Sequence, residues 1–268
     1  MARNLKLTIA YDGAEFHGWQ IQPDRPTVQG ILSEVIGRTT GEKVLPQGSG
    51  RTDTGVHARA QITSFTTTST IPLVNFRKVL NDRLPAAIRV LSVEEMPPQF
   101  HARHSAIAKT YEYRLYCGEV VPPWLARYVT HHPWPLDRAA VFAAATLVIG
   151  EHDFTSFAAV DPDRDTRSDE EDDEFSLDAD TRLEPKHATN IRTIFESSWR
   201  HDDEEIIYTV RGNGFLHHMV RNLVGTMLVI GKGTWPPEDM QRILAARDRS
   251  AAGPTAPASG LWLMGVEY

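Results

Sequence analysis

The chain has 268 residues, 41% hydrophobic and 24% charged, a globular composition long enough for two domains. No apolar run reaches the roughly 18 to 20 residues of a membrane helix, and a single cysteine, Cys117, excludes an internal disulfide and disfavours a cysteine-based zinc site. The net charge of -7 is uneven: residues 161–187 hold twelve acids against four Lys/Arg, a net of -8, which leaves the other 241 residues near +1 and keeps a nucleic-acid partner open.

The N-terminus alternates as a strand over residues 5–11 and lacks the apolar block of a signal peptide, so a cytoplasmic protein is expected. Residues 27–41 place Val28, Ile31, Leu32, Val35 and Ile36 at helical spacing, with Thr27 as the cap and Gly41 beyond the end. Strands are expected at 42–47, 57–67 and 87–96, and a helix at 72–84 with Val74, Val79, Leu80 and Leu84 on its buried face. This β-α-β-β-α-β order is ferredoxin-like. The second half reads as a longer version: a strand at 109–117, an Ala-rich helix at 136–150, a hairpin at 190–214 turning at RHDDEE, apolar helices at 215–233 and 236–248, and a closing strand at 261–268. The acidic run 161–187 reads as an exposed insertion, because its charge density disfavours a packed core.

The stretch GSGRTDTGVHARAQ, residues 48–61, sets one acid, Asp53, among three glycines, Arg51 and His57. It is not a P-loop, since no Lys-Ser/Thr follows the last glycine, and not a dinucleotide fingerprint, since a strand follows it. An Asp beside Arg stays ionised and can act as nucleophile or base, although a lone Asp in such a loop also serves as a turn residue. Tyr111 shares a strand face with Tyr113, Leu115 and Cys117, which equally suits a core position. Arg221 lies in an apolar helix, where a buried guanidinium needs a charge partner. His217 and His218 are adjacent on that helix, are expected to point to different sides, and lack the i, i+4 spacing of a zinc pair. His57, Tyr11, His17, Trp19 and Gln20 are candidates to line a cleft or meet RNA. Arg25, Arg59, Lys109 and Arg114 are candidate phosphate contacts.

GRTDTGVHA resembles the signature of the TruA-type tRNA pseudouridine synthases. So do AYDGAEFHGWQIQP (10–23), FHARHSAIAKTYEYRLY (100–116), GEHDFTSF (150–157), GNGFLHHMVRNLVG (212–225) and the ending GLWLMGVEY (260–268), in the family's order. The resemblance implies an α+β fold. In it two ferredoxin-like, RRM-like halves, residues 1–104 and 105–268, form one continuous, mostly antiparallel sheet with flanking helices and an active-site cleft between them. It implies isomerisation of uridine to pseudouridine at about positions 38 to 40 of tRNA, with no cofactor and no metal, by a homodimer. Asp53 matches the catalytic aspartate, Arg51 the arginine that helps extrude the target nucleotide, Tyr111 the tyrosine that stacks on the base, and Arg221 the partner of the carboxylate. Tyr111, His57, His217, Arg59, Lys109 and Arg114 form the expected substrate-binding set. Residue types leave open whether Asp53 attacks the sugar, attacks the ring or removes a ribose proton. The acidic insertion departs from the family pattern, in which a short connector follows DFTSF. Three further readings are an RNA-binding protein without catalysis, a metal-dependent phosphohydrolase using Asp53, His217, His218, His152 and Asp153, and a small-molecule nucleotide-binding enzyme, which the lack of either standard phosphate loop disfavours.

Overall fold

The computed structural model describes residues 2–159 and 189–268; the acidic run 161–187 lies outside the described residues. The chain begins with β1 (Arg3–Tyr11), whose Leu5, Leu7, Ile9 and Tyr11 are buried while the residues between them are not, the period-2 pattern of a strand with one face on the core. Helix α1 (Val28–Thr40) starts where the Thr27 hydroxyl accepts from the Gly30 N–H and stops at Gly41, in the left-handed region at φ 78°. After β2 (Gln47–Gly48) and β3 (His57–Thr67), helix α2 (Leu73–Arg83) buries Phe76 and Leu80, and β4 (Ile88–Met96) follows. Val74, expected inside, is 72% exposed.

The second half opens with β5 (Ala108–Tyr116) and the short β6 (Thr130–His131). Helix α3 (Arg138–Thr146) is capped by the Asp137 carboxylate on the Ala140 N–H. Then come β7 (Gly150–Asp153), the hairpin β8 (Ile191–Asp202) and β9 (Glu205–Gly212), α4 (Met219–Gly231), α5 (Asp239–Ala246) and β10 (Leu261–Glu267). Among the described residues, ten strands join one sheet in the order β4-β1-β3-β10-β5-β9-β8-β7, with β2 on β3 and β6 on β5. Among the described residues only β3–β10 and β5–β6 pair in parallel, so the α+β, mostly antiparallel architecture is as the resemblance implies.

The expected strand at 42–47 shrinks to Gln47–Gly48. Pro46 offers no N–H to a ladder, and the Val44 carbonyl is taken by the Ser33 hydroxyl. Nearer the start of β3 the edge that carries β2 is met by β10, with Trp262 opposite His57 and Leu263 opposite Ala58. On its other side β10 pairs with β5, Leu263 opposite Tyr111. One C-terminal strand thus sets the start of β3, where the Asp53 loop ends, two strands from Tyr111. No helix among the described residues is long and apolar enough to cross a membrane.

Candidate active site

The loop between β2 and β3 is held from below by buried polar groups. The Ser49 hydroxyl contacts Gln61 Oε1 at 2.5 Å, and Gln61 Nε2 donates to the Gly50 carbonyl at 2.9 Å. The Tyr11 hydroxyl meets Thr52 Oγ1 at 2.8 Å, and the Trp19 N–H donates to the Thr52 carbonyl at 3.0 Å. Gly48 is required by close approach: a Cβ there would fall 2.6 Å from the Trp19 indole. The glycines therefore let the loop press on its own protein, and that pressure fixes where Asp53 points.

Asp53 meets three partners, one from the first turn of α4 and two from the residues just before it. Arg221 Nη1 donates to Oδ2 at 2.8 Å, His218 Nε2 lies 3.3 Å from Oδ2, and His217 Nε2 lies 3.5 Å from Oδ1. Arg221 is itself oriented, because its Nε donates to the Ala256 carbonyl at 2.8 Å. Burial is the largest single influence on Asp53 and would raise its pKa. The His217 hydrogen bond, the His218 charge and the Arg221 hydrogen bond and charge together outweigh it and hold the carboxyl below its ordinary range. The His218 imidazole moves down, chiefly through burial, with Asp53 opposing the shift. The carboxylate is thus ionised at neutral pH in a partly dry setting.

His217 and His218 do not diverge as expected. The helix begins at Met219, and His218 sits before it in the left-handed region at φ 59°. That kink turns both rings to one side, with centroids 3.9 Å apart. With Asp53 they present ligand atoms within 4.8 Å of one another, a set of the size that a metal ion takes.

Asp53 faces a cleft of about 810 Å³. Tyr111 forms a wall, 8% exposed and edge-on to Phe215 at 5.0 Å; burial foremost, then the Tyr11 and Asp53 charges, keeps its phenol protonated. Lys109 Nζ donates to the Ser49 carbonyl at 2.6 Å, and burial, with Arg103 and Arg192 nearby, brings its pKa down to about 8. Arg51, Arg103 and Arg192 also border the cleft, as do His17, Trp19 and Gln20.

A sequence model described as tRNA pseudouridine synthase matches residues 7–105 and 144–268. The chain is 44% identical over 266 residues to tRNA pseudouridine synthase A of Solibacter usitatus, spanning 99% of this chain and 100% of that protein. It is 42% identical over 266 residues to the enzyme of the same name from Brevibacillus brevis, with the same coverage, and 40% identical over 267 residues to tRNA pseudouridine synthase A 1 of Desulfotalea psychrophila.

The chain belongs to the tRNA pseudouridine synthase family. It is accordingly an isomerase, and its signature loop, its KTYEY strand and its HHMVRN segment converge on one cleft. Three residues expected to bind substrate lie elsewhere. His57 is fully buried: Nδ1 accepts from the Gly13 N–H, Nε2 donates to the Arg127 carbonyl, and the ring stacks on Trp262. Burial, its largest influence, lowers its pKa despite Asp12 beside it, so it is neutral and ties the end of the signature loop to two other segments. Arg59 is exposed and off the cleft. Arg114 lies off the cleft too, paired with Glu112 at 3.5 Å and set over the Trp262 ring. Arg25 is likewise exposed and borders no part of the cleft. His152 and Asp153, offered for a phosphohydrolase, bond to the Ile149 carbonyl and to Thr155 instead of joining Asp53.

Arg103 and Arg192 were missed in the sequence. The basic cluster HARH at 101–104 was a signal for the first. Nothing local marks Arg192, which reaches the cleft only because β8 pairs beside β9.

Proposed function

We propose that this isomerase converts uridine to pseudouridine in the anticodon stem-loop of tRNA, at about positions 38 to 40, without a cofactor, as a homodimer in the cytoplasm. The observation that carries the reading is an ionised Asp53, 2.8 Å from Arg221, in a cleft walled by Tyr111. A base within a stem must be flipped out, at a cost of a few kcal/mol. Stacking on Tyr111 offsets part of that, at roughly 1 to 3 kcal/mol per base. Asp53 is the group that reacts, Arg221 holds it ionised and oriented, and Arg51 at the rim fills the space the base leaves. Walls of Tyr111 and Phe215 restrict water, which would otherwise intercept a detached base. The division at residues 104 and 105 belongs to this proposal: the first part brings the Asp53 loop, and the second brings Tyr111 and Arg221. The experiment is to incubate the purified protein with unmodified tRNA and map pseudouridine. New pseudouridine confined to the anticodon arm supports the reading; pseudouridine elsewhere, or none, contradicts it.

Lys109, Arg103 and Arg192 take the phosphates that flank the flipped nucleotide. Lys109→Gln is expected to weaken binding of all tRNA sequences alike and to lower the salt slope by about one. Because the Lys109 pKa lies near 8, its charge is present below that pH and lost above it, so tRNA affinity falls between pH 7 and 9. Lys109→Arg is expected to flatten that dependence, and binding titrations at both pH values check it. Stability moves the other way. A lysine with a lowered folded pKa destabilises the fold below about pH 8, and the cost is relieved as pH rises toward the ordinary lysine value.

Tyr111→Phe keeps the stacking face and is expected to bind tRNA as the parent does, whereas Tyr111→Ala removes the wall and lowers turnover by about tenfold or more. Equal turnover for parent and Tyr111→Ala in single-turnover assays contradicts the stacking role.

A further inference from the structure

We propose that Asp53, His217 and His218 form a binding site for a divalent transition-metal ion of the zinc class, and that an ion bound there blocks the isomerase. The blocking half rests on the function proposed above; the binding half does not. A tetrahedral ion with metal–nitrogen and metal–oxygen distances of about 2.1 Å separates neighbouring ligand atoms by about 3.4 Å. The observed separations are 3.5 Å from Asp53 Oδ1 to His217 Nε2 and 3.3 Å from Oδ2 to His218 Nε2, one histidine on each carboxylate oxygen; one ligand atom from each residue lies within 4.8 Å of the others, so an ion bound through a single oxygen draws the set together. Both imidazoles turn the same nitrogen, Nε2, toward one carboxylate, an arrangement made by the left-handed backbone at His218. The set opens into the cleft, which leaves a fourth position for water.

Two imidazoles and a carboxylate suit Zn²⁺, Co²⁺ or Ni²⁺ and are a poor match for Mg²⁺, which prefers oxygen ligands in an octahedron. The Mg²⁺ that accompanies tRNA therefore leaves the site alone. Arg221 opposes the ion, because its guanidinium holds Oδ2 at 2.8 Å. Metal and Arg221 compete for one carboxylate, and the ion neutralises the charge that the isomerisation needs.

The test is titration of the purified full chain with Co²⁺, followed by its visible absorption, with Zn²⁺ as competitor. The expected result is one saturable Co²⁺ per chain with the bands of a tetrahedral site, displaced by Zn²⁺ and unaffected by millimolar Mg²⁺. His217→Gln and His218→Gln are expected to weaken it by about tenfold or more each, since even loss of an outer-shell partner costs about ten- to a hundredfold in affinity. Arg221→Gln is expected to strengthen it by about tenfold, through loss of the competing charge. His104→Gln, at the exposed member of the His101–His104 pair, whose centroids are 4.4 Å apart, is expected to leave it unchanged. Absence of saturable binding overturns the proposal, as does binding lost in His104→Gln and kept in both other histidine variants. Should His217→Gln or His218→Gln fail to fold, Arg221→Gln decides the matter, and unchanged or weaker binding there overturns it. In an active preparation, Zn²⁺ is expected to stop pseudouridine formation and a chelator to restore it. Full activity with the site loaded overturns the blocking half, whereas metal binding by a chain that never forms pseudouridine counts against the function and leaves the site standing.

Discussion

Asp53→Asn is expected to abolish turnover while leaving tRNA binding and the fold in place. The amide has nearly the carboxylate's shape and still offers an oxygen to Arg221 Nη1, now 2.8 Å from Oδ2. What it lacks is the charge, and with it the capacity to attack a carbon or take a proton. Loss of a reacting group costs more than about a thousandfold in turnover when its partners stay in position. Binding is a separate matter, because in the proposed function the phosphates fall to Lys109, Arg103 and Arg192 and the base to Tyr111, all of which line the cleft apart from the Asp53 carboxylate. Single-turnover conversion and equilibrium binding on the same preparation check both halves. Conversion at a tenth of the parent rate or more, in a folded variant that binds tRNA, contradicts the assignment of Asp53.

Gly225→Ala is expected to be strongly damaging although it lies remote from Asp53. Gly225 lies on the buried face of α4, and a Cβ there would stand 1.7 Å from the Pro254 carbonyl oxygen and 3.3 Å from the Ala256 nitrogen. Helix propensity favours Ala over Gly by about 1 kcal/mol, but contact of that closeness with backbone forces the 253–256 segment off the helix. Overpacking of this kind costs about 3 kcal/mol, so thermal unfolding is expected roughly 6 to 12 °C lower. The segment that must move carries the Ala256 carbonyl, which holds Arg221 Nε at 2.8 Å. Turnover therefore falls along with stability, although residue 225 touches nothing in the cleft. A variant that keeps the parent melting temperature, read by calorimetry, contradicts this packing account.

Much of this was legible in the sequence where local chemistry decides. Thr27 and Gly41 bracket α1 as a cap and a left-handed stop should, and β3 spans the β-branched residues 57–67. The reading failed where a distant contact decides. On α2 the expected face holds at Leu80 and Leu84, both buried, and fails at Val74, whose place is taken by Phe76, because β4 packs on that side. Helix α4 starts four residues later than apolar continuity suggests, since composition does not reveal a positive φ at His218. His57 looked like a cleft residue because it shares the signature stretch with Asp53. Its surroundings are supplied by Trp262 and by Arg127, seventy residues away. For Asp53, Tyr111 and Arg221 the resemblance named the residues and Arg221's partner, while the fold explains the meeting: β10 docks β5 beside β3, and α4 brings the guanidinium.

The proposed function turns on Asp53 breaking and remaking the bond between base and ribose inside the cleft that Tyr111 walls. In uridine the ring is joined through nitrogen and C5 carries a hydrogen; in the product C5 itself holds the ribose, so that hydrogen must leave. The most direct measurement gives the protein unmodified tRNA labelled with tritium at uridine C5 and counts three quantities together: released tritium, pseudouridine and free uracil. The account predicts one tritium released per pseudouridine formed by the parent, no free uracil, and none of the three from Asp53→Asn. Free uracil in place of pseudouridine, or equal tritium release from Asp53→Asn, would contradict it.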